Sequence, residues 1–292
     1  MYILDTSAIR GISRATLKKA AEKTTVAIST LSVLELASHL NDSNDDTKYS
    51  RARGNFLKCQ ECEILDDPFW LFSQHSQLPA NITRKEDRPI LTQLIAKVEQ
   101  SQTLNELAQQ TLVYPDGATA SCEEVGKRIA KILHEEEKEF ISNIQNFYSA
   151  AKLDPSLNGK HSLTSDALFE TLLSSAKALS AGDNSNLRSK TLLATAPYIG
   201  YILHRLYLYA NRLQPGEFML NVDRNDCEDA YISLSLNLNS NDTLVTNDTG
   251  TLDALNGTIA LLSEKLPEPL SSNYVMSSES FLSLFTSGEA AA

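Results

Sequence analysis

The chain has 292 residues, enough for one large domain or two small ones with a sizeable core. Apolar residues make up 42%, which excludes an intrinsically disordered chain. The formal net charge of −11 argues against a protein that holds nucleic acid by bulk charge, but not against an enzyme that gathers carboxylates around a metal.

The apolar runs fall far short of the ~20 residues a membrane span needs. The N-terminus lacks a basic region and Asp5 interrupts its apolar run, so no secretory signal is read there. The expectation is a cytoplasmic protein without membrane association. Cys59 and Cys62 form one CxxC, with neither a second CxxC nor a His pair at zinc spacing, so the cysteines are read as ordinary thiols.

Tyr2-Ile3-Leu4 is a short uncharged apolar run followed at once by Asp5, Thr6 and Ser7, the pattern of a buried strand ending in a carboxylate and two hydroxyls. A helix is expected over Arg14 to Lys23 and a second strand over Thr25 to Ser29. Leu31 to Leu40 reads as a helix that starts directly on that strand, with Ser32 and Glu35 at capping-box spacing. A polar loop from Asn41 to Thr47, a helix over Tyr49 to Lys58 and a short strand over Cys62 to Leu65 follow.

From Pro68 the character changes. Helical patterns cover Ile90 to Leu112, Val125 to Lys152, Leu163 to Leu179 and Leu187 to Leu213, with loops at Tyr114 to Gly117, Asp154-Pro155 and Gly182 to Asn184. Strand–helix alternation returns near Asn225, whose spacing to Glu228 is again that of a capping box; this helix is expected to reach Asn237. Thr243 to Thr246 reads as a buried strand with Asn247-Asp248 at its end, and a helix is expected from Thr251. Tyr274 to Met276 and Ser280 to Phe285 supply a last strand and helix, and Ser287 to Ala292 a frayed tail. The expected organisation is an α/β domain in two parts, 1–67 and 215–286, around a helical insertion at 68–214, with a tail at 287–292.

Asp5, Glu35, Asp226, Asp229 and Asp248 each stand near a strand end or in the early turns of a helix. If the strands are parallel, these acids converge at one edge of the sheet. Gathered carboxylates repel one another unless a cation neutralises them, and Mg²⁺ or Mn²⁺ suits an all-oxygen site. Such a site suits metal-assisted hydrolysis of a phosphodiester. Each acid taken singly also has a plain structural reading, as a cap, a dipole partner or a turn residue.

The stretches Tyr2 to Ser7, Ser29 to Leu36, Asp229 to Ile232, Leu244 to Asp248 and Tyr274 to Leu282 together resemble the PIN-domain family of metal-dependent nucleases, which includes toxin ribonucleases of toxin–antitoxin pairs. The likeness spans about residues 1–67 and 215–286 and omits the helical block. It implies a three-layer α/β/α sandwich around a mostly parallel sheet. It also implies Asp5, Glu35, Asp229 and Asp248 as catalytic metal ligands, with Asp226 as an auxiliary one. The third acid is assigned to Asp229 because the family spaces its third and fourth acids roughly twenty positions apart. Ser7, Thr246 and Asn247 are implied as residues that touch substrate or orient the ligands. The expected activity is a Mg²⁺- or Mn²⁺-dependent endoribonuclease of toxin or defence type. RNA is the expected substrate, with single-stranded DNA as a second candidate. An antitoxin or other regulatory protein and a second copy of the chain are candidate partners. The alternative is a non-catalytic PIN-like scaffold that binds RNA or a protein.

Other families that open on a strand ending in Asp fit less well. Ser7 stands where a haloacid-dehalogenase fold needs a second Asp, and no GxGxxG follows the first strand. A receiver domain's acidic pair and late lysine are also lacking. Basic residues at Lys48, Arg51, Arg53 and Lys58, at Lys127, Arg128 and Lys131, and at Arg188, Lys190, Arg205 and Arg212 are candidate phosphate contacts, or solvated helix faces. The five histidines show no ligand spacing and are read as structural or surface residues.

Overall fold

The computed structural model describes residues 1–41, 45–76, 87–151, 161–180, 185–214, 217, 219–268, 270–271 and 273–286. The expected loops at Asp154-Pro155 and Gly182 to Asn184, part of the Asn41 to Thr47 loop, and the tail from Ser287 lie outside these residues.

The chain begins with β1 (Tyr2–Leu4), α1 (Thr6–Gly11), α2 (Arg14–Ala21), β2 (Val26–Ile28), α3 (Thr30–Ser38), α4 (Asp46–Phe56) and β3 (Glu63–Ile64). It continues with α5 (Pro68–Ser76), α6 (Asp87–Gln100), α7 (Leu104–Ala108), β4 (Thr111–Val113), β5 (Thr119–Ser121), α8 (Cys122–Ala151), α9 (Ser165–Leu179) and α10 (Ser185–Arg212). It closes with α11 (Asn225–Ser233), β6 (Thr243–Val245), α12 (Thr249–Lys265), β7 (Val275–Met276) and α13 (Ser278–Thr286).

The fold is α/β. Its main sheet has five parallel strands in the order β3-β2-β1-β6-β7. The chain builds outward from β1 to β2 and β3, then returns to the other side of β1 with β6 and β7. The order therefore reverses between β1 and β6, and ligands of open α/β sheets bind outside the strand ends at such a reversal. The strands are very short and nearly all buried, which is why they read as apolar runs without alternation. Leu4 pairs with both Ile28 and Val245, which aligns the carboxyl ends of the three central strands.

Several local expectations are corrected. A six-residue helix, α1, begins at Thr6 directly after the first strand, too short to show a hydrophobic period. The cap of α3 is Ser29, whose hydroxyl accepts from the Leu31 N–H; the Ser32–Glu35 pair is not a capping box. The cap of α11 is Arg224, without a side-chain cap bond, so Asn225 and Glu228 do not form one either. That helix also stops at Ser233. Tyr114 to Gly117 is the turn of an antiparallel hairpin between β4 and β5, not a break between helices. Gly117 has φ +87 there, a left-handed backbone that glycine adopts freely.

The helical block is not a separate body. One hydrophobic cluster runs from Ile3 and Leu4 through Phe140, Leu172 and Tyr209 to Leu244 and Phe281. Tyr231 of α11 packs edge-on against Phe69 and Phe140, with ring centroids 4.6 and 6.1 Å apart. In α10, Pro197 has no N–H to give the Leu193 carbonyl one turn back; Leu238 N–H takes that carbonyl instead, at 3.1 Å. The segment leading to β6 is thereby tied to α10. Among the described residues no helix is long and apolar enough to cross a membrane.

Candidate active site

The carboxyl ends of β1 and β6 open into a cavity of about 430 Å³. Asp5, Glu35, Asp229 and Asp248 all line it, although they come from β1, α3, α11 and β6. Two further acids, Glu137 of α8 and Glu228 of α11, line it too, with Arg10, His39 and His134 among their neighbours.

Asp5 caps α1. Its carboxylate accepts from the Ala8 N–H at 2.6 Å and from the Ser7 hydroxyl at 2.8 Å. Burial still pushes its pKa up to about 6, against the pull of Thr246, Ala8 and Ser7. Asp248 caps α12 in the same way, accepting from the Thr251 N–H at 2.6 Å. The turn Asn247-Asp248-Thr249-Gly250 is thus the start of a helix.

Ser7, Thr246 and Asn247 lock these two strand ends together. The Asn247 N–H donates to the Ser7 hydroxyl at 2.7 Å, and the Asp248 N–H to the Thr246 hydroxyl at 3.0 Å. The Asn247 side chain donates to the Ser7 carbonyl at 3.3 Å and accepts from the Ser278 hydroxyl at 2.6 Å. A Cβ at Gly11 would stand 2.9 Å from the Asn247 amide nitrogen, so the missing side chain there makes room for this bridge.

Asp229 faces the pocket from the second turn of α11. Burial first, then the charges of Asp248 and Asp5, raise its pKa to about 8. The Tyr201 hydroxyl of α10 donates to it at 3.5 Å. Glu228 stands against Glu35, and burial followed by the Glu35 charge pushes its carboxyl up to about 9. Glu35 in turn accepts from Arg10 at 3.0 Å. His134 approaches Glu137 at 3.4 Å on the α8 wall.

Asp226 is separated from this set. It is 3% exposed, does not line the cavity, and faces Arg205 of α10. Arg205 binds both of its oxygens, and the Tyr209 hydroxyl binds one of them as well. Three residues apart on α11, Asp226 and Asp229 turn to different partners. The auxiliary-ligand expectation for Asp226 therefore meets a carboxylate that is already occupied.

Other basic residues have structural roles. Arg53 donates to the carbonyls of Val98, Glu99 and Ser101 at the end of α6. Lys58 donates to Ile9 and Arg10 carbonyls at the end of α1. Both close helix C-termini, where cations and donors are favoured. Lys127 and Lys131 lie on the exposed side of α8, paired with Glu123 and Glu135. The Arg188 side chain lies outside the description. Cys59 and Cys62 are free thiols; burial pushes both up, Cys62 to about 12, which leaves them protonated and inert.

Sequence reasoning did not place Glu137, Glu228, Arg10, His39 or His134 in the site, nor give Arg205 a pairing role. The one visible signal was the acidic density of Asp226, Glu228 and Asp229 in four consecutive positions.

The donor chemistry of the pocket fits a hard divalent cation: carboxylate oxygens, whose pKa values are raised by burial first and then by one another's charge. The cage is not preassembled, since among the described residues no three His, Cys, Asp or Glu side chains form a ready metal-binding group. Mg²⁺ in particular keeps several waters and needs only one or two direct carboxylates. No protein-family model matches the sequence, and searches of curated proteins and of solved structures return no match. The class defined by the fold and pocket is a parallel α/β protein with an acidic cavity at its topological switch point.

Proposed function

We propose that this pocket hydrolyses phosphodiester bonds with the help of a divalent cation, and that the protein is a PIN-like endoribonuclease with an α/β/α sandwich. The observation that carries the reading is the arrival of Asp5 and Asp248 from the two strands flanking the switch point, and of Glu35 and Asp229 from two helices, in one cavity. Six carboxylates around a single cavity call for a counter-charge.

Asp5, Asp229 and Asp248 would hold the cation, with Glu35 lining the same cavity. There a Mg²⁺ or Mn²⁺ ion would supply an activated water and a counter-charge for the phosphate. Ser7, Thr246 and Asn247 keep the two strand-end acids in register. Arg10, with a side chain 42% exposed, can leave Glu35 for a phosphate oxygen, and His134 stands across the same opening. RNA is the substrate favoured by the family resemblance.

The test is cleavage of RNA and of single-stranded DNA by the purified protein with Mn²⁺, with sequencing of the new 5′-phosphate ends, for the parent and for Asp5→Asn. The reading expects ends that appear with the parent alone. If the parent cuts neither substrate, and expressing Asp5→Asn changes cellular RNA ends no differently from the parent, the enzyme reading is lost and a scaffold remains.

A further inference from the structure

Two acids near the pocket are met by arginines, in different ways. Arg10 reaches Glu35 from the surface, its side chain 42% exposed. Arg205 is built in: its side chain is 14% exposed, that of Asp226 4%, and two hydrogen bonds join them. Its guanidinium carbon lies 5.9 Å from the Tyr201 ring centre and 5.6 Å from that of Tyr209. Both tyrosines also reach the acids, Tyr209 bonding Asp226 and Tyr201 bonding Asp229 at 3.5 Å. Gly250 makes the approach possible from the other side. A Cβ there would stand 2.7 Å from Arg205 Nη1 and 3.2 Å from Asp248 Oδ1.

We propose that Arg205 is a resident cation beside the acidic pocket: it removes Asp226 from metal binding, leaves one divalent-cation position on Asp5, Asp229 and Asp248, and positions Asp229 through α11 and Tyr201. Glu228 and Glu35 face one another, so the acid left beside Asp229 and Asp248 for a second divalent cation is Asp226, and both of its oxygens are engaged. The guanidinium supplies there the positive charge that a second ion would bring, without exchange or dependence on metal supply. Arg205 is thus a positioning residue, and its helix belongs to the block that separates the two α/β parts in sequence.

The proposal rests on the metal reading above, and the experiment separates the two. Mn²⁺ bound per chain is counted by the loss of the free-ion electron paramagnetic resonance signal, independently of cleavage. The parent and Arg205→Lys are expected to bind one Mn²⁺. Arg205→Met, which releases Asp226, is expected to bind two, and Arg205→Met with Asp226→Leu one again. Asp226→Asn is expected to keep one ion with affinity within threefold of the parent, and it decides the matter if Arg205→Met does not fold. Two ions on the parent, a loss of more than tenfold in affinity in Asp226→Asn, or a folded Arg205→Met that still binds one ion would overturn the role of Arg205 while leaving the metal reading intact. No Mn²⁺ on any folded form would overturn both.

Discussion

The two walls of the pocket hold their carboxylates by different means. On the strand-end wall, Asp5 and Asp248 each cap a helix and accept a backbone N–H at 2.6 Å. Peptide dipoles thus offset part of their charge before any ligand arrives. On the wall built by α11, the neighbours of Asp229 and Glu228 include other carboxylates, and burial with like charge lifts them to about 8 and about 9. Cap hydrogen bonds hold Asp5 to about 6 against its burial, whereas on the α11 wall burial and like charge carry Asp229 and Glu228 further up. A metal that binds must displace protons from the α11 acids at a pH where Asp5 has already lost its own.

The largest effect that probes this division is on chemistry. Asp5→Asn keeps the cap of α1, since Asn caps as well as Asp. It should nevertheless reduce RNA cleavage by about a thousandfold, equivalent to about 4 kcal/mol of lost transition-state stabilisation. Single-turnover rates at saturating Mn²⁺ measure it, while circular dichroism should show an unchanged fold.

Removing the buried guanidinium comes next. Arg205→Met leaves Asp226 uncompensated and should destabilise the chain by about 3–5 kcal/mol, read by urea denaturation. A loss much below this would mean that Asp226 takes up a proton cheaply, and that the α11 wall is less strained than its neighbours imply.

Ser7→Ala tests the strand-end wall. It removes the donor to Asp5 and the acceptor of the Asn247 N–H, and should cost about 1–2 kcal/mol.

The pH dependence separates the walls most directly. Asp229 and Glu228 bind protons more tightly in the fold, at about 8 and about 9, than their ordinary values of 3.8 and 4.5. Between those limits the native state holds more protons than the unfolded state, so the metal-free protein loses stability as pH rises from about 4 to about 9. Its melting temperature should fall across that window, and Mn²⁺ should raise it more at pH 8 than at pH 5. Asp229→Asn should flatten the fall and stabilise the metal-free chain at pH 8 by about 1 kcal/mol or more. A melting temperature independent of pH would remove the distinction between the walls.

The smallest effect is expected outside both walls. Lys127→Ala breaks an exposed pair with Glu123 on α8 and should leave the melting temperature unchanged.

What was legible in the sequence follows from range. The strands at Tyr2–Leu4 and Thr243–Val245 were visible because each is a short, mostly apolar run with a carboxylate within three residues of its end, a signal contained in a few residues. The long amphipathic α8 and α9 were visible through their periodicity. The hairpin around Gly117 was missed because Pro115-Asp116-Gly117 marks a turn without saying what it joins, although Thr111, Val113 and Thr119 carry strand preference. The two capping boxes were read from spacing alone, and the backbone had already been capped at Ser29 and Arg224. In the site, Asp5 and Asp248 could be placed by their strand ends, and Glu35 and Asp229 by the early turns of their helices. Glu137, His134 and Arg205 could not, because they reach the pocket or its supporting acid from α8 and α10, by contacts that no local pattern records.

Gly200 is where this dependence is greatest. A side chain there would put its Cβ 2.2 Å from the Thr258 hydroxyl of α12, so α10 and α12 mesh with almost no clearance. A little over one turn further along α10 sits Arg205. The two helices are therefore interlocked at this point, and trimming away the block between the α/β halves would open that contact. A truncated chain would lose this contact and the arginine together, and would open the hydrophobic cluster that the block shares with the alternating strands.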